Sequence, residues 1–367
     1  MLALAGCGSK DSAKSPTTGP AKVITYDPGS RTFVGMNASE VLPFSPKEQD
    51  ATLHAQAAAG VGVFRQTFQW SDIEPKPGEY HWEMHDNLVA SAARNGIQVL
   101  PIIFNVPKGQ GAAPKKHVKI TATTTMPPKD PEAFAAFAKV LVGRYGPGGS
   151  FWKAHPDVKP LPIRSWQVWN EPNLKAYWGG RPNQREYLTL LKATGRAIHS
   201  ADPGAEIVTG GIPDSKLGSP LADYVPLLAK AGAKGAFDTL AIHPYARTVD
   251  GAIAGIVRAR EILDRAGFTN VGLWVTEIGW ATGGPHSAFT VGPKTQGSYV
   301  AEMLSRSAAL AERVKLRGVA YYAWRDVKPY PGGKDFWGLH TGLNTIGGKP
   351  KPSLTAFTAA ASELRAP

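Results

Sequence analysis

The chain has 367 residues, 43% of them apolar, enough to bury a large core, and no run of about 18 consecutive apolar residues that could cross a membrane as a helix. Its 41 Lys and Arg against 29 Asp and Glu give a net charge of +12. A field of that sign favours anionic partners such as acidic polysaccharide, nucleic acid or a membrane surface. No nucleic-acid motif accompanies it, and the single cysteine, Cys7, rules out an intramolecular disulfide.

In chain order, Leu4-Ala5-Gly6-Cys7 comes first and resembles the lipobox of bacterial lipoproteins, in which the cysteine is lipidated. The six residues before Cys7 lack the basic and apolar regions of a secretory signal, so 1–22 is read as a truncated lipoprotein signal and flexible tether. Residues 8–22, rich in Ser, Lys, Thr and Pro, suit a linker between an anchor and a domain. The reading implies an extracytoplasmic protein, lipid-anchored at a bacterial cell surface, with no other membrane contact.

From residue 23 onward strand-like and helix-like segments alternate, which implies a parallel sheet. Strand one, 32–37, leads to a helix at 46–59; strand two, 60–65, to a helix at 83–95. Strand three, 98–104, is almost purely apolar, as a strand buried on both faces should be, and precedes a helix at 135–145 with Pro131 at its start. Lys115, Lys116, His117 and Lys119 lie between them and read as a solvated loop. Strand four occupies 165–173, where Pro172 stops the ladder, and its helix is 184–200. The remaining strands are 206–209, 239–245, 272–277 and 318–324, with helices at 221–233, within 257–266, at 296–314 and at 352–364. Eight strands and eight helices predict one (β/α)8 TIM barrel domain over 23–367, a fold that takes about 250 residues plus insertions.

Two strand ends carry carboxylates. Strand four reads S-W-Q-V-W-N-E-P-N, with Ser165, Gln167 and Trp169 alternating with Trp166 and Val168, and places Glu171 at its C-terminal end. Strand seven reads L-W-V-T-E-I-G-W, whose alternation predicts Leu273 and Val275 filling the barrel interior beneath Glu277. Alone, each is also what a polar turn or a helix cap looks like. Together, W-N-E-P-N and the Glu277 strand resemble the acid/base and nucleophile strands of the clan A retaining glycoside hydrolases. The segment I-E-P-K-P-G-E-Y-H-W from Ile73 to Trp82 resembles the loop after strand two in that clan. The C-terminal F-W-G-L-H…K-P-S…A-F is similar to the end of family 39 barrels.

The resemblance implies retaining hydrolysis of O-glycosidic bonds in a poly- or oligosaccharide, with Glu171 as acid/base and Glu277 as nucleophile. Asn170 would bond the sugar 2-hydroxyl, Arg65, at the end of strand two, the nucleophile carboxylate, and Tyr245 of His243-Pro244-Tyr245 would approach it. Trp324, ending strand eight, would floor the sugar site. Trp70, Trp178, Trp280 and Trp337 fall in top-face loops and are candidates for further subsites. The β-sandwich of family 39 xylosidases has no counterpart here, which leaves a barrel-only glycanase as an equal reading. A transglycosylase with the same pair and a non-catalytic carbohydrate-binding barrel are the alternatives. No cofactor or metal is expected. His81-Trp82-Glu83-Met84-His85 spaces two histidines by four, but a zincin requires Glu directly after the first. A monomer acting on saccharide, with anionic substrates favoured by the charge, completes the expectation.

Overall fold

The computed structural model describes residues 26–113, 125–329 and 333–365. Cys7 with its tether, and the Lys115, Lys116, His117 and Lys119 cluster, lie outside the described residues. Eight parallel strands form a closed barrel: β1 (Val34–Asn37), β2 (Val63–Gln69), β3 (Gln98–Phe104), β4 (Ser165–Val168), β5 in two pieces (Glu206–Thr209 and Ile212–Pro213), β6 (Thr239–His243), β7 (Gly272–Ile278) and β8 (Leu316–Tyr322). Each pairs with its sequence neighbours, and β8 closes on β1 with Ala320 opposite Gly35. The helices α1 (Pro46–Ala58), α2 (Glu83–Arg94), α3 (Pro131–Tyr145), α4 (Gln184–Ala201), α5 (Leu221–Lys230), α6 (Val249–Arg265), α7 (Pro293–Val314) and α8 (Pro352–Glu363) surround it.

Local chemistry explains where the helices start. Ser45 and Glu48 form a reciprocal capping box on α1, with Pro46 in the first turn, where its missing N–H leaves no bond unmade. Asp130 caps α3 ahead of Pro131, Asn183 caps α4, and Thr248 caps α6. That Thr248 cap starts α6 at Val249, eight residues before the apolar run that marked it in the sequence. Most of the core lies between sheet and helices, while Val63, Leu100, Val208, Ala241 and Trp274 form a separate cluster contributed by strands alone, the filling of the barrel.

That cluster corrects the reading of strand seven. Leu273 and Val275 belong to the outer core, and Trp274 fills the interior. Glu277 still reaches the lumen because the β7–β8 register shifts between Val275 and Ile278, which resets the alternation just below the carboxylate. Strand two is also displaced. It runs from Val63 to Gln69 in unbroken register with β3, so Arg65 is its third residue, not its end. Gly60, at φ 98°, and Gly62, packed where any side chain would collide with the Arg31 carbonyl, hold the chain outside the strand until Val63. Strand four stops at Val168, because Trp169 adopts a left-handed φ of 70°.

Candidate active site

All eight C-terminal strand ends open on one face, and the two glutamates meet there. Glu171 follows β4 in a left-handed conformation (φ 45°), so Trp169 and Glu171 flank Asn170 with two sparsely populated backbone states. The turn is held by the Trp169 N–H donating to Ile103 O (2.9 Å) and the Glu171 N–H donating to Gly211 O (3.1 Å). Gly211 has no alternative: a side chain there would collide with the His243 imidazole, and its bareness lets that ring reach the acid.

His243, fully buried at the end of β6, places Nδ1 2.7 Å from Glu171 Oε1 and Nε2 3.1 Å from Thr276 Oγ1. Glu277 Oε1 lies 3.6 Å from the same Nε2. One oxygen of each carboxylate and one nitrogen of His243 fall within 4.8 Å of one another.

Arg65 is the hub. Its side chain is 1% exposed and donates through Nη1 to Glu277 Oε1 at 2.6 Å. The same Nη1 reaches Asn37 Oδ1, Nε reaches Gln167 Oε1 and Nη2 reaches Asn170 Oδ1, each at 2.8 Å. Four acceptors from β1, β4, its following turn and β7 thus hold one buried cation, which satisfies its fork geometry. The Tyr245 hydroxyl donates to the other oxygen, Glu277 Oε2, at 2.9 Å.

These contacts separate the two acids. Burial raises the Glu171 pKa; the hydrogen bond and charge of His243 oppose this, and the Glu277 charge adds to it, with the balance upward. Burial also works to raise Glu277, but His243, Arg65 and the Tyr245 hydroxyl outweigh it and hold that carboxyl below its ordinary value. One glutamate is inclined to keep a proton and the other to lose it, the division of labour that paired-carboxylate sites use. The Glu171, His243 and Glu277 donors are close enough to grip a metal ion, yet Arg65 already supplies a fixed positive charge 2.6 Å from Glu277, which a dication would have to displace or endure. His81 and His85 do not converge: His81 is exposed beside Glu79, whereas His85 is buried with its ring 4.6 Å from that of Phe68, and burial pushes its pKa down to about 4.

The structure therefore brings Glu171, Glu277, Arg65, Asn170, His243 and Tyr245 into one network. It does not bring Trp324 there. Trp324 lies two residues past β8 and borders a different cleft of about 550 Å³ against Ala51, Ala55 and Leu354 of α1 and α8. The cavity that Glu277, Arg65 and Asn170 line, about 340 Å³, takes its aromatic wall instead from Tyr322, the last residue of β8, and from Phe104 and Tyr177. Trp70, Trp178 and Trp280 are buried, and of these four candidates Trp337 is the one partly open, its ring 5.1 Å from that of Tyr245. Sequence reasoning missed Asn37 and Gln167. Each is a polar side chain in an apolar strand run, and that isolated polarity was the available signal.

A family model described as Beta-galactosidase, of glycoside hydrolase family 42, matches residues 45–114. A curated Beta-xylosidase from Geobacillus stearothermophilus is 28% identical over 168 residues, 43% of this chain and 30% of that protein. A family 39 glycoside hydrolase from Bacteroides cellulosilyticus WH2 superposes with a TM-score of 0.68 at 21% identity, over 94% of this chain and 66% of its own. A monomeric beta-xylosidase from Caulobacter crescentus CB15 gives 0.66 at 20% identity, over 90% and 68%. The chain thus spans less than a third of the curated relative and about two thirds of these structures. At such identities the structural likenesses establish the barrel fold, and that fold is the one the family 39 resemblance implied.

Proposed function

We propose that the protein is a retaining glycoside hydrolase acting on a poly- or oligosaccharide, with Glu171 as acid/base and Glu277 as nucleophile. The observation that carries this reading is the pair itself: two carboxylates whose oxygens approach within 4.8 Å, one shifted toward protonation and the other toward ionisation. Retaining enzymes hold their carboxyl groups about 5 to 5.5 Å apart and inverting ones about 6.5 to 9.5 Å, the larger gap admitting a water. With one oxygen of each carboxylate within 4.8 Å of the other, the two acids face one site, and the clan resemblance supplies the choice of direct attack.

In the first step Glu277 attacks the anomeric carbon while Glu171 gives its proton to the departing oxygen; the glycosidic bond breaks and a glycosyl ester forms. Loss of that proton leaves Glu171 ionised with His243 Nδ1 at 2.7 Å, within hydrogen-bond reach of its carboxylate. In the second step Glu171 removes a proton from water, which attacks the ester and frees Glu277. Arg65 and Tyr245 fix the nucleophile's two oxygens, so its approach requires little reorganisation. Asn170, whose Oδ1 is occupied by Arg65, has its amide N–H2 to offer the 2-hydroxyl. Xylose, galactose and mannose linkages are the first to test, since xylosidases, galactosidases and a mannosidase are among the proteins of similar fold.

The test is the anomer first released. Nuclear magnetic resonance on a nitrophenyl glycoside that is turned over should show the substrate's configuration before mutarotation. The opposite anomer would replace this mechanism with an inverting one, and no turnover of any glycoside would leave a binding barrel.

A further inference from the structure

A line of aromatic rings leads from the nucleophile to the surface. Tyr245, bonded to Glu277, packs edge-on against Trp337 at 5.1 Å, and Phe289 lies 4.5 Å from Trp337. Phe336 continues the line, its ring perpendicular to that of Trp337 at 6.5 Å. Phe336 is 47% exposed and is the sole exposed aromatic side chain among the described residues. What distinguishes this ring is its place on the catalytic rim of the barrel, continuous with the half-buried rings of Trp337, Phe289 and Tyr245 that lead back to the nucleophile, where a flat apolar partner can stack.

The ring is also held in place. Gly338 sits beneath it so closely that a methyl group would collide with Phe336 Cε2. The turn around it is pinned by His340 Nε2 to Asp335 Oδ1 (2.7 Å), by the Thr282 N–H to His340 O (3.0 Å) and by the Val327 N–H to Leu339 O (2.9 Å). Fixed side chains lose little freedom when a ligand stacks on them.

We propose that Trp337 and Phe336 form a second saccharide-binding position, outside the reacting sugar, so that the protein recognises chains of at least two or three units and not single glycosides. A sugar ring presents an apolar face of C–H groups that suits such a platform, while its hydroxyls stay in water. The proposal rests on the glycosidase reading for the placement of the reacting sugar. It is nevertheless tested by binding, which needs no turnover.

The experiment is titration of the full chain carrying Glu277→Gly, so that no ligand is cleaved during the measurement, with xylo-, galacto- and manno-oligosaccharides of one to five units, followed by tryptophan fluorescence and calorimetry; hydrolysis is assayed separately on the unsubstituted chain. Affinity for at least one series should rise between one and three units. Phe336→Ala should erase about three- to tenfold of that gain, the size expected for one aromatic contact. Gly338→Ala, which shifts the ring without removing it, should erase part of it. A chain-length gain untouched by Phe336→Ala, or no gain in any series, overturns the proposal even if the protein hydrolyses monosaccharide glycosides. Failure to hydrolyse, with the gain present and lost in Phe336→Ala, keeps the platform and removes the catalytic reading.

Discussion

Arg65 shows how much one side chain determines. Its four hydrogen bonds tie Asn37, Gln167, Asn170 and Glu277 together, and its charge lowers the pKa of both glutamates. Arg65→Met leaves Glu277 without its cation, which should cost roughly 3 kcal/mol of stability for a broken buried pair and, through the lost donor on the reacting carboxylate, on the order of a hundredfold in kcat/KM. The sign of the pH effect follows. In the proposed mechanism activity requires Glu277 ionised, which sets the acidic limb, and Glu171 protonated, which sets the basic limb. Removing a positive charge raises both pKa values, so the whole profile of kcat/KM against pH should move to higher pH. A profile that only falls in height would mean the charge of Arg65 reaches neither acid. Glu171, Asn170 and Glu277 were legible because their types sit in recognisable strand-end motifs. Asn37 and Gln167 were not, since an amide in a strand carries no mark of the cation it will meet.

The strands are where sequence and structure part, and the reasons are physical. In β7 both faces are apolar, as a strand buried between helices and lumen must be, so alternation cannot tell which set faces inward. Trp274 took the lumen, with the Arg317 guanidinium 4.9 Å from its ring centre. The register shift that returns Glu277 to the lumen is a backbone event with no residue to announce it. Likewise β4 ends at Val168 through the backbone state of Trp169, and β5 is interrupted at Gly210 and Gly211, where bare backbone lies beside Trp169 and His243. Trp274→Ala should cost about 3–5 kcal/mol through lost burial and the cavity left in the barrel, read by denaturant unfolding. A loss below about 1 kcal/mol would put Trp274 outside the filling of the barrel. The existence and order of the eight strand and helix pairs survived these local errors because each helix has its own cap, proline or amphipathic face.

At the scale of the whole molecule, the barrel converts eight separate strand ends into one site: residues more than 200 positions apart, Arg65 and Glu277, are joined by a single hydrogen bond. The central claim is that this site forms a covalent bond from Glu277. Glu277→Gly should fold and lose turnover, and added azide should fill the vacated space and attack an activated glycoside from the nucleophile's side. The measurement is the configuration of the glycosyl azide by nuclear magnetic resonance. The account expects an inverted product; a glycosyl azide of retained configuration, or full activity without azide, would contradict it.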